Sequence, residues 1–140
     1  MNPTEISLVK ESFLKIVPVA DQAAALFYAR LFELDPALRA LFRGDMAEQG
    51  QKLMTMIAMT VRSLERLDTL VPAIRELGVR HSAYGVTEEH YATVGVALLW
   101  ALEKGLGAAF TTEVREAWTS AYLLLANTMI EAQRGVRLAA

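Results

Sequence analysis

The sequence predicts an all-α fold, and three observations carry that expectation. Apolar residues recur at helical spacing along nearly the whole chain, the four prolines sit near segment starts or boundaries, and no stretch alternates with a period of two between turn signals. A length of 140 residues, 54% of them hydrophobic and 21% charged, suits a single domain over residues 1–140 with one buried core.

The helices announce themselves in order. Asn2, Pro3 and Glu5 supply a cap, a first-turn proline and a capping-box glutamate for a helix whose buried stripe is Ile6, Val9, Phe13 and Ile16, with Pro18 marking its end. A second helix is expected from about Asp21 to Phe32, and Asp35-Pro36 opens a short third one ending near Phe42. Asp45 with Glu48 reads as another capping box, opening a helix to about Glu65 with Gln49, Leu53, Met56 and Thr60 on one face. Asp68 then caps a helix that stops at Gly78. After the short segment from Val79 to Val86, Thr87 caps a long helix ending at Gly105 or Gly107. The last helix begins after Thr111 or Thr112, its apolar face formed by Val114, Trp118, Ala121, Tyr122, Leu125 and Met129.

Composition narrows the function classes. Fourteen Lys and Arg against sixteen Asp and Glu give a net charge of −2 without a basic stripe, so no nucleic-acid partner is expected. The chain has no cysteine, which excludes disulfides, thiolate metal sites, iron–sulfur clusters and thioether-attached cofactors. The N-terminus lacks a basic stretch followed by an apolar core, and the longest apolar run, about Val94 to Leu102, is too short to span a bilayer. A cytoplasmic protein with no membrane partner is therefore expected.

Of the two histidines, His81 lies just beyond the expected stop at Gly78. An imidazole where a helix loosens can turn toward a pocket while its second nitrogen donates to a backbone carbonyl. Haem iron takes a proximal ligand in that arrangement. Taken alone, a single histidine among apolar residues is more often a satisfied core or surface residue. His90 sits in a first turn beside Glu88 and Glu89, where a solvated, charge-paired state without a role is expected.

The segments Leu26-Phe27-Tyr28, Asp35-Pro36 with Leu41-Phe42, Lys52-Leu53-Met54, His81 to Val86, His90-Tyr91 with Val94-Gly95, and Ala117-Trp118 with Ala121-Tyr122 follow one another over nearly the whole chain. In order and spacing they resemble the globin domain of flavohaemoglobins and their single-domain bacterial relatives. The resemblance implies a globin-like fold of about seven helices. Haem b would lie between the helix bearing Gln49 to Met56 and the segment bearing His81, its iron-ligating residue.

The same resemblance implies that Phe42 stacks on the porphyrin, that Val86, Tyr91, Val94 and Leu98 contact the cofactor, and that Tyr28 and Gln49 face the gas on the distal side. A hydrogen bond to a charged acceptor is worth roughly 1.5–3 kcal/mol, enough to change oxygen affinity about tenfold or more. Leu53 and Met56 follow Gln49 at helical spacing, so they share its face and control steric access, with core filling as their default role. Lys52 and Arg80 are candidates to pair with the haem propionates, and equally read as snorkelling surface residues. In flavohaemoglobins a tyrosine matching Tyr91 joins a glutamate on the last helix to engage the proximal histidine. This chain departs from that pattern, with Gln133 at the glutamate's place and Glu131 facing roughly 200° away. A neutral amide lends the imidazole less electron density, which puts a strongly anionic proximal ligand in doubt.

The expected function is binding of a diatomic gas, O2, NO or CO, at haem iron. Nitric oxide detoxification would need a separate reductase, because these residues leave no room for one. The alternatives are an oxygen carrier or store, a gas sensor acting through a partner protein, and a haem-free globin-like interaction module. A haem absorption band separates the last from the others.

Overall fold

The computed structural model describes residues 1–139. All seven expected helical segments are present among them, six as α-helices and the third, Pro36–Leu41, as a 3-10 segment. The α-helices are α1 (Pro3–Ile16), α2 (Ala20–Leu34), α3 (Met46–Arg62), α4 (Val71–Ala83), α5 (Glu88–Leu106) and α6 (Thr112–Ala139), and no strand occurs among the described residues.

Several starts are made by the residues the sequence nominated. Asn2 and Glu5 form the reciprocal box of α1, the Asp35 carboxylate accepts the Ala37 N–H, and the Asp45 carboxylate accepts the Ala47 N–H at 2.8 Å. The core follows the predicted stripes. Val9, Phe13 and Ile16 of α1 are buried with Val114, Ala117, Trp118 and Ala121 of α6. Trp118 Nε1 donates to buried Ser12 Oγ at 2.8 Å, which satisfies the indole in that apolar layer.

Two boundaries differ from expectation. Glu65 and Asp68 belong to a 3-10 segment, Leu64–Thr69, and the helix after it begins at Val71 with Pro72 in its first turn. That helix does not stop at Gly78. It continues to Ala83, and the chain turns at Gly85, whose φ of 96° favours glycine. Gly78 is there for contact: a Cβ on it would lie 2.6 Å from the Met129 carbonyl oxygen and 2.8 Å from its Cα, so α4 and α6 touch backbone to backbone. His81 consequently lies inside the last turn of α4.

The stretch Glu88–Ala109 is long and apolar enough, at mean hydropathy 1.2, to cross a membrane by length and composition alone, although its uninterrupted apolar run is shorter. In the fold, α5 packs along α2 and also against α1 and α6. The packing that matters for the site is a division of labour: α3 packs chiefly on α2, and α4 chiefly on α6.

Candidate functional site

Two apolar clusters flank the site. The first contains buried Phe27, Tyr28, Leu31 and Leu38 with Ala97 and Ala101 of α5, and half-buried Phe42, Leu53, Val94 and Leu98 pack against it. The second contains buried Ile74, Tyr91, Ala126 and Met129, with half-buried Met56, Leu77 and Val86. Leu53 and Met56 share one face of α3, yet each joins a different cluster, so this face runs from one wall to the other.

On the α2 side, the Tyr28 ring meets Phe42 edge-on at 5.3 Å and Phe42 meets Phe32 at 5.5 Å. Burial raises the Tyr28 phenol above its ordinary range, and a hydrogen bond with the Gln49 side chain works against that rise. The structure therefore brings together the two residues nominated as distal donors. Lys52 and Arg80 are both exposed.

On the α4 side, half-buried His81 donates from Nδ1 to the Leu77 carbonyl, one helical turn back, at 2.9 Å. Burial lowers its affinity for a second proton, the Leu77 bond raises it, and nearby Arg80 lowers it again, for a net shift downward. A neutral ring whose Nδ1 holds the proton keeps its lone pair on Nε2, the form that ligates a metal.

Behind His81 the wiring described for flavohaemoglobins is not formed, in keeping with the departure at Gln133. Gln133 is buried, but its amide donates to the Val86 carbonyl at 3.2 Å, while the buried Tyr91 hydroxyl has no hydrogen-bond partner among the described residues. Burial pushes that phenol up to about 12. The Tyr122 hydroxyl donates to the Tyr91 carbonyl, and its phenol is raised further by burial and by Tyr91. Glu131 is exposed. His90 also departs from expectation: its Nδ1 accepts the Thr87 N–H at 3.0 Å and so caps α5.

Sequence reasoning expected a backbone carbonyl at the His81 ring without naming Leu77, and it missed the Gly78–Met129 contact and the Gln133–Val86 bond. Only Leu77 had a local signal, its four-residue offset from His81.

The residues present suit a metal that brings its own ligands. Among the described residues no group of three or more His, Cys, Asp or Glu side chains could hold a bare ion. A lone imidazole nitrogen, on a residue hydrogen-bonded to the half-covered Leu77 and Val86, fits a planar apolar cofactor carrying a metal. That arrangement defines a class, an α-helical domain with one oriented imidazole beside half-covered apolar side chains.

Comparisons with known proteins then make the class specific. The Globin family model matches residues 25–129, and the chain belongs to the globin family. Neuroglobin of Danio rerio is 37% identical over 118 residues, 74% of each protein. A flavohemoprotein of Bordetella parapertussis is 32% identical over 143 aligned positions, which span 100% of this chain and 36% of the flavohemoprotein. An engineered carbene transferase from Rhodothermus marinus superposes with a TM-score of 0.89 at 27% identity, covering 99% of this chain and 97% of that one. A bacterial globin from Campylobacter jejuni shares the fold, with a TM-score of 0.85 at 24% identity over 97% of this chain and 99% of its own. Family membership implies haem as the cofactor and a diatomic gas as the ligand.

Proposed function

We propose that this globin binds haem b through His81 Nε2 and holds oxygen tightly enough to use it in chemistry, with nitric oxide detoxification as its role. The observation that carries the reading is the His81 ring, whose Nδ1 is tied to the Leu77 carbonyl so that Nε2 is left to ligate, with Gln49 near enough to the Tyr28 phenol to work against its upward shift. When bound, haem would supply an iron centre that takes up a diatomic gas. Everything else falls to side chains. The Leu77 carbonyl fixes the His81 tautomer, Phe42, Val86, Val94 and Leu98 pack on the ring, and Leu53 and Met56 exclude water from the gas. Tyr28 and Gln49 donate to it, and Lys52 and Arg80 pair with the propionates at the exposed edge.

Oxygen polarises more than carbon monoxide on binding, so these two donors slow the release of oxygen selectively. Slow release suits consumption better than delivery, which favours detoxification over carriage. Repeated turnover needs electrons, for which we infer a separate reductase. The flavohemoprotein similarity supports that inference, this chain spanning 36% of such a protein.

Stopped-flow measurement of oxygen release tests the reading. Tyr28→Phe and Gln49→Leu should each speed release about tenfold, and the double variant should show coupling, because both donors serve one acceptor. Rates within about twofold of the parent in all three would overturn the distal assignment.

A further inference from the structure

Three polar residues are buried among the described residues, and two of them, one of which also accepts from the Trp118 indole, donate within their own helices. Ser12 Oγ donates to the Leu8 carbonyl and Thr60 Oγ1 to the Met56 carbonyl, one turn back in each case. Gln133 is different, since its amide crosses from α6 to the Val86 carbonyl. Val86 in turn donates its N–H to the carbonyl of His81 at 3.0 Å, while the Tyr84 N–H reaches the Arg80 and His81 carbonyls. Two hydrogen bonds at Val86, one at its carbonyl and one at its N–H, thus link Gln133 to the backbone of His81.

Two further contacts hold the same stretch. Gly78 abuts the Met129 backbone one turn before Gln133, and Arg134 pairs with Glu88 at 2.7 Å just after it. The Tyr91 hydroxyl takes no part. We propose that Gln133 is a positioning residue for His81, holding the turn behind the imidazole through the Val86 carbonyl and not through Tyr91. The proposal rests on the reading of His81 as the iron ligand. It also accounts for the residue type. A buried amide can donate to a carbonyl, whereas a glutamate carboxylate at 133 would face that carbonyl without a proton to share.

The test uses the haem-loaded chain in the ferrous state. In Gln133→Leu and the near-isosteric Gln133→Glu, the iron–histidine stretch in resonance Raman spectra should shift or broaden, and haem loss to a scavenging apoprotein should speed about tenfold. In the cofactor-free chain, the Val86 amide should exchange its hydrogen about tenfold faster in both variants. Tyr91→Phe should leave Val86 amide exchange in the cofactor-free chain at the parental rate. Parental behaviour of both Gln133 variants would overturn the proposal, as would a Tyr91→Phe variant that reproduces their effect on that exchange. A parent chain without an iron–histidine band, or one whose band survives His81→Gly, would instead contradict the haem reading on which the proposal rests.

Discussion

The Leu77 carbonyl decides which nitrogen of His81 is available, because a ring nitrogen that donates its proton cannot also ligate a metal. Its effect is visible in a deletion. His81→Gly should lose stable haem uptake, and added imidazole should restore it by occupying the same space. A haem-loaded variant with the parent spectrum and no imidazole would remove His81 from the site. Tyr91 makes the opposite kind of prediction, since its buried hydroxyl has no partner among the described residues. Its phenol is raised from 10.0 to about 12, so across that range the folded chain keeps a proton that the unfolded chain releases. The stabilisation is intact below about pH 10 and is lost as pH rises toward 12. Urea midpoints measured from neutral pH to about pH 11 should therefore fall less steeply in Tyr91→Phe, with the remaining fall owed partly to Tyr122. At neutral pH the variant should match the parent or exceed it by about 1 kcal/mol, because an unpaired buried hydroxyl has been removed. A parental alkaline profile would show that this hydroxyl titrates as freely in the fold as outside it.

Among the elements, α4 and α6 are bound most closely, and Gly78 is the place where a single methyl group tests the contact. Gly78→Ala would set its Cβ 2.6 Å from a backbone oxygen that cannot swing aside, so the helices must part. We expect a loss of about 1–3 kcal/mol in urea unfolding, against the gain of about 1 kcal/mol that alanine normally brings to a helix. Gly135→Ala, with nothing within 4 Å of its new Cβ, should show that gain. Equal shifts in the two would refute the close approach. The pair also marks what is legible from sequence. A cap such as Asn2 with Glu5, or Asp45, acts within a few residues, so the helix starts could be read locally. Gly78 carries the same local signature as a helix stop, and only the presence of α6 against it distinguishes contact from termination. The misplaced end of that helix, and the placing of His81 beyond it, follow from that ambiguity.

At the scale of the molecule, two helix pairs divide the proposed site, with Tyr28 and Gln49, the proposed donors, on α2 and α3 and His81 on α4 against α6. The residues of both walls were legible because each sits at helical spacing in a segment resembling a known family. The hold on His81 was not, since Gln133 and Val86 are 47 residues apart and their bond exists only once α6 is packed. The central claim is that these walls close on haem with one histidine at the iron. Titration of the purified chain with ferric haem, followed by its visible absorption spectrum, tests it most directly. The account predicts saturation at one haem per chain, a sharp Soret band, and a ferrous form whose band shifts on adding carbon monoxide. A chain that shows no Soret band after reconstitution, or whose haem does not respond to carbon monoxide, would contradict it.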